Sequence, residues 1–173
     1  FHSGQLKVEQ RELKGLTYIA SYTWSKGIDV GGNSTFGNAS GPQDNYNRIA
    51  GERGLVAFDH RHRLVVNTIY NLPAKITGNS IAEKFVNGWQ VNSIVTIQSG
   101  NPIWILRQTT LPGFSGGNNL RPDQVCDPNL DVRTPQRWFA TECFVNPGDR
   151  FGTAGRATVT GPGQNQWDIS LLK

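Results

Sequence analysis

The chain has 173 residues, a formal net charge of +4 and 36% hydrophobic residues, with a mean hydropathy of −0.44 and a pI near 9.3. No apolar run is long enough for a membrane helix. The basic residues are scattered, with no zinc spacing, RNA-binding sheet motif or helical basic stripe, so nothing in the charge pattern points to nucleic acid.

The first predicted strand runs from about Gly4 to Leu13. Leu6 and Val8 share one face; Lys7, Glu9 and Arg11 share the other. Lys14-Gly15 then makes a tight turn. The second strand, Leu16 to about Lys26, has the clearest pattern in the chain. Leu16, Tyr18, Ala20, Tyr22 and Trp24 alternate with Thr17, Ile19, Ser21 and Thr23. A side-chain period of two gives one apolar and one mostly polar face. About ten such residues cross a bilayer when tilted, and Tyr and Trp at strand ends suit the headgroup level.

From Gly27 to about Leu55 no period is visible, and Gly, Asn, Ser and Asp dominate. Loops of this length are uncommon in compact soluble domains but ordinary outside a membrane barrel. A third strand is predicted from about Phe58 to Leu72, ended by Pro73, which cannot donate to a ladder. Residues 74–87 form a medium connection, with a helical turn expected from Ile81 to Phe85. The fourth strand, from about Gly88 to Ser99, places Trp89, Val91, Val95 and Ile97 on one face, interrupted by Ser93. Gly100-Asn101-Pro102 breaks it, and Ile103 to Leu106 either extends it or begins a short strand beyond the membrane. Residues 108–166 form a second long, polar, Gly- and Pro-rich stretch, with a helical turn expected at Pro135–Phe139 because Pro suits the first helical position. Cys126 and Cys143 lie here, either as a disulfide in an oxidising location or as two free thiols. The last strand is predicted at Trp167–Lys173.

The fold expected is therefore all-β: antiparallel strands near 4–13, 16–26, 58–72, 88–99 and 167–173, with two long extracellular loops, 27–57 and 108–166. Connections running short, long, medium, long suit a bacterial outer-membrane barrel, with short turns in the periplasm and long loops outside. About five strands are too few to close even the smallest membrane barrel, which needs eight, and lipid does not tolerate open edges. With a start at Phe1 and no signal peptide, the chain is expected to be part of one larger barrel domain, without its plug.

The wording of the chain resembles a family. Tyr22-Thr23-Trp24-Ser25-Lys26 with Ile28-Asp29 is similar to a recurrent strand end in TonB-dependent receptors of the Oar-like type, the group that carries a carboxypeptidase-regulatory-like domain. Glu52-Arg53-Gly54, Phe58-Asp59-His60-Arg61-His62-Arg63-Leu64-Val65 and Tyr70-Asn71-Leu72-Pro73 resemble the next strand of that group. Asn87-Gly88-Trp89-Gln90, Gln98-Ser99-Gly100-Asn101-Pro102, Phe151-Gly152, Gly155-Arg156, Gly161-Pro162-Gly163 and Trp167-Asp168-Ile169-Ser170-Leu171 follow in the same order. The resemblance implies a segment near the C-terminal end of a 22-stranded barrel. Its partners would be outer-membrane lipid, the remaining barrel and plug, TonB through the parent protein, and a scarce small ligand of unknown identity.

Sites of chemistry are sparse. His60 and His62 stand two apart near Asp59, the start of a two-ligand metal site with no third ligand in view, so no metal and no cofactor is expected. Asp29, Asp44, Glu52 and Asp59 lie in or beside loops with no base fixed by spacing; Glu52 and Asp59 are expected to pair with Arg53, Arg61 or Arg63. Neither a nucleophile elbow, a zincin helix nor a phosphate loop occurs, and no enzymatic role is expected. Tyr18, Tyr22, Trp24, Tyr70, Trp89, Val91, Val95, Ile97 and Trp167 are the expected lipid-facing band and aromatic girdle; no ligand contact is assigned. The function expected is uptake of an iron chelate, oligosaccharide or peptide at the outer membrane of a Gram-negative cell. The alternative is a soluble secreted β-sandwich that binds carbohydrate or another surface through exposed aromatics, which requires Leu6, Val8, Val91, Val95 and Ile97 to pack into a closed core.

Overall fold

The computed structural model describes residues 1–30, 42–44, 46–73, 77–78, 80–107, 111 and 120–173. Parts of both long loops (31–41, 45, 108–110 and 112–119) and of the medium connection (74–76 and 79) lie outside these. The described residues divide into two compact units: Ser3–Ser25, His60–Ser99 and Gly163–Lys173 in one, and Phe1–His2, Lys26–Asp59 and Gly100–Pro162 in the other.

The first unit is built on a five-stranded sheet. Its strands are β1 (His2–Leu13), β2 (Leu16–Lys26), β5 (His62–Asn71), β6 (Gln90–Gln98) and β11 (Gln164–Leu172). They lie side by side in chain order, so each strand pairs with the one before it. Their lengths are 12, 11, 10, 9 and 9 residues, which is what a tilted strand needs to cross a bilayer. The sheet is not closed on itself: β1 and β11 are its edges.

The first hairpin turns through Lys14 and Gly15, at φ 50° and 82°. Positive φ at both central residues is the mirror-image turn that matches strand twist. Gly15 is needed for space as well, because a Cβ there would lie 2.8 Å from the Asn71 carbonyl oxygen. Between β5 and β6 sits α2 (Ser80–Val86), a full two turns where the sequence suggested one from Ile81 to Phe85.

Two strand starts differ from the alternation by three residues or more. β5 starts at His62 rather than near Phe58. Asp59 N–H bonds the Val56 carbonyl at 3.0 Å, and the Asp59 carboxylate accepts the Gly27 N–H at 2.6 Å, so this stretch is a turn. β11 starts earlier than Trp167, at Gln164, because its backbone continues to pair with β6 up to Gln98.

The second unit holds the two long connections. Their short strand pairs are β3 (Ile28–Asp29) with β4 (Gly54–Leu55), β7 (Pro102–Ile103) with β10 (Val159–Thr160), and β8 (Asp123–Gln124) with β9 (Phe144–Val145). α1 is a single turn, Arg48–Gly51. The helical turn expected at Pro135–Phe139 is absent. Thr134 and Arg137 exchange both backbone hydrogen bonds at 3.1 Å, so the chain reverses there as a tight turn, and a 3₁₀ turn forms instead at Thr141–Cys143. Cys126 and Cys143 are joined in a disulfide, which resolves the two readings of the cysteines and restrains the loop between them.

Candidate functional site

The register of the sheet sorts its side chains. Leu16, Tyr18, Ala20, Tyr22 and Trp24 stand opposite Tyr70, Thr68, Val66, Leu64 and His62. The same row continues through Val91, Ser93, Val95 and Ile97 on β6 and through Leu171, Ile169, Trp167 and Asn165 on β11. One face is thus apolar across four strands. The other carries Thr17, Ser21, Thr23, Arg63, Asn67, Asn92, Thr96, Gln98, Gln166 and Asp168, with a few aliphatic residues among them.

All nine residues expected in the lipid band and girdle share the apolar face: eight by register, and Trp89 because it precedes Gln90 and its carbonyl accepts the Leu72 N–H at 2.9 Å. Trp167 departs from the expected position at a strand start, since it lies inside β11 opposite Val95. Its indole N–H donates to the Ser93 hydroxyl at 2.7 Å. That bond satisfies two polar groups on a face where water is scarce, and it explains how Ser93 can interrupt an apolar row. Tyr22 and His62 do the same, hydroxyl to Nδ1 at 2.7 Å. His60 Nδ1 is engaged by the Ser99 carbonyl oxygen at 2.8 Å, so His60 and His62 each commit a ring nitrogen to a neighbouring residue.

The apolar face is open. On that face Ile97 is 45% exposed and Trp167 68%, and on β1 Leu6 is 63% and Val8 47% exposed. These residues form no closed core, against the requirement of a soluble sandwich. No described helix is long and apolar enough to cross a membrane.

The second unit has a different logic: its interior sets charged side chains among apolar ones such as Val56, Leu120 and Val159. Glu52 is 0% exposed and Arg121 5%. Arg121 grips the Glu52 carboxylate with both terminal nitrogens, at 2.6 and 3.1 Å, and also donates to the Gly51 carbonyl at 3.0 Å. Gln43 closes the network: its N–H donates to Glu52 at 3.1 Å, its amide to the Gly152 carbonyl at 2.9 Å, and its side-chain oxygen accepts the Arg121 N–H at 3.1 Å. Arg156 pairs with Asp29, donates to the Glu52 carbonyl at 3.1 Å and lies over the Trp104 ring at 4.7 Å. Gly54 permits that approach, since a Cβ would stand 2.5 Å from Arg156 Cβ. Two ion pairs therefore fasten residues 26–59 to residues 100–162. The expectation that Glu52 pairs with Arg53, Arg61 or Arg63 is corrected to Arg121. Nothing local in the sequence marks Arg121 beyond its place after Leu120, the large apolar side chain buried here.

A polar cleft of about 370 Å³ opens beside this network, lined by Gln43, Asn47, Glu52, Arg121, Phe151 and Thr153 among others. Asp44, expected beside a loop, borders it and holds the Tyr46 N–H at 2.9 Å.

Asp123 binds Arg150 and accepts the Thr153 N–H at 2.9 Å. The Arg150 hydrogen bond holds its carboxyl below the usual carboxylate value, against the opposing effect of burial. The Asn129 N–H lowers Asp127 in the same way. A carboxyl whose pKa falls on folding stabilises the fold above its unfolded value, and that contribution is lost as pH drops through the folded one. Protection of residues 120–153 against hydrogen exchange, measured relative to the intrinsic amide rate at each pH, is therefore expected to hold at neutral pH and to weaken below about pH 4. In Asp123→Asn protection should be weaker already at pH 7 and less acid-dependent; an unchanged acid profile of protection in that variant would disprove the assignment.

A family model described as an outer membrane beta barrel domain matches residues 1–173. The chain belongs to this family. Comparison with curated proteins and with solved structures returns no match. The outer-membrane β-barrel domain is a protein of the outer membrane, and its antiparallel sheet is a stretch of barrel wall. The soluble-sandwich alternative falls with that assignment.

Proposed function

We propose that this outer-membrane barrel segment belongs to a TonB-dependent receptor of the Oar-like type, and that it serves uptake of a scarce ligand rather than catalysis. The observation that carries the reading is the pairing of a membrane-length, one-sided sheet with two long connections that are braced to each other by the buried Glu52–Arg121 pair and the half-buried Asp29–Arg156 pair. A pore-forming wall alone needs only short turns. A braced body with a polar cleft is what an exterior capture surface requires. The ordered series of motifs from Tyr22 to Leu171 supports the family within the barrel proteins. The remaining strands, the plug and the TonB-contacting segment would come from the parent protein. Iron chelates, oligosaccharides and peptides are the candidate ligands.

The test uses the full-length protein on intact cells. Tyr46→Cys and Val132→Cys place thiols at highly exposed positions, 102% and 79%, one in each long connection. Both are expected to react with a membrane-impermeant maleimide without permeabilisation, and ligand uptake is expected to stop when TonB is removed. Labelling only after permeabilisation would reverse the orientation, and uptake independent of TonB would end the receptor reading.

A further inference from the structure

The connection between β5 and β6 leaves the sheet at the same end as the Lys14-Gly15 turn, where the Asn71 N–H bonds the Gly15 carbonyl at 2.9 Å, the periplasmic end in the barrel reading, where water would surround it. Its helix does not look like a water-facing turn. Ile81 is 69% exposed and Phe85 71%, and they stand four residues apart on α2, on one helical face. Trp89 follows four residues later. Its indole N–H donates to the Phe85 carbonyl at 2.6 Å, which fastens the last turn of α2 to the first residue of the apolar row on β6. The exposed stripe Ile81–Phe85 therefore runs on from Trp89 and the apolar sheet face. Lys173 Nζ lies 5.4 Å from the Phe85 ring and 5.2 Å from the Trp89 ring, and Lys84 is exposed on α2. Glu83, near the opposite face, bonds the Gly78 N–H at 2.8 Å.

Apolar rings continuous with a lipid-facing sheet and flanked by cations are the arrangement of an element that lies in the headgroup layer. We propose that α2 is an interfacial anchor: Ile81 and Phe85 sit in the phospholipid headgroup and upper acyl region at the short-turn side of the membrane, and Lys84 and Lys173 meet lipid phosphates. The cation–π contacts hold Lys173 at the boundary between rings and phosphates. This rests on the reading of the apolar sheet face as the lipid face.

Single-cysteine variants of the full-length protein test it: Ile81→Cys and Glu83→Cys, labelled with an environment-sensitive fluorophore and reconstituted in phosphatidylethanolamine–phosphatidylglycerol vesicles with shallow or deep spin-labelled lipid. Val95→Cys reports on the sheet itself. Shallow-label quenching several-fold stronger at Ile81 than at Glu83, with deep-label quenching at Val95, is the expected result. Quenching at Val95 with equal, weak quenching at Ile81 and Glu83 would overturn the anchor and leave the barrel face standing. An Ile81 probe shielded from both lipid and aqueous quenchers would place a protein there instead and also overturn it. Absence of quenching at Val95 would remove the lipid-face reading and the anchor with it.

Discussion

Glu52→Ala is expected to destabilise the braced connections by roughly 3–5 kcal/mol, the cost of leaving a buried partner charge uncompensated. Arg121 is 5% exposed and would lose both carboxylate bonds, while Gln43 would lose the acceptor for its N–H. Arg121→Ala should cost a similar amount. The double variant Glu52→Leu/Arg121→Met should cost clearly less than the two single losses added, because removing both charges leaves none stranded. The control is Glu142→Ala, which breaks the Arg137–Glu142 pair. Both of its side chains are 60% exposed, and exposed pairs are worth about 0–1 kcal/mol. The measurement is hydrogen exchange of residues 42–56 and 120–156 in the detergent-solubilised full-length protein. Similar acceleration in Glu52→Ala and Glu142→Ala would sink the account of the buried network.

Val95→Arg is expected to cost on the order of 2–4 kcal/mol in membrane stability, the penalty for a charge on the lipid face near mid-membrane. Val95 stands between Val66 and Trp167 on the apolar face. Thr96→Arg, one residue on, lies between Val65 and Gln166 on the polar face and should cost much less. Unfolding titrations in lipid vesicles measure both. Equal costs would refute the assignment of faces.

The sheet was legible because its signal is local. From Leu16 to Trp24 each residue declares its face, and the strand found, Leu16–Lys26, has the bounds read from the alternation. Where side chains are polar on both faces the signal disappears: Gln164, Asn165 and Gln166 carry no period, and their strand is set by the backbone of β6 opposite. Near Phe58 the error runs the other way. Residues continue to alternate there, but Asp59 is committed to Gly27 and the chain turns. The braced connections were legible only as family wording. Glu52-Arg53-Gly54 and Gly155-Arg156 stood out as motifs, yet the partners are far apart, 69 positions for Glu52–Arg121 and 127 for Asp29–Arg156. Sequence neighbours such as Arg53 are a natural guess for an ion pair, but burial decides the pairing, and burial of this kind leaves no period in the chain.

Those separations also carry a kinetic meaning. Contacts that join distant parts of a chain are slow to form, because the loop between them must close before they contribute. Glu52 stands 69 positions before Arg121, and its carboxylate cannot be buried without cost until that cation is in place. Until then the earlier connection is held in water by its own charges. Strand pairing can advance one hairpin at a time, but the brace closes late, and a chain ending before Arg121 would carry a complete first hairpin without the Glu52–Arg121 pair.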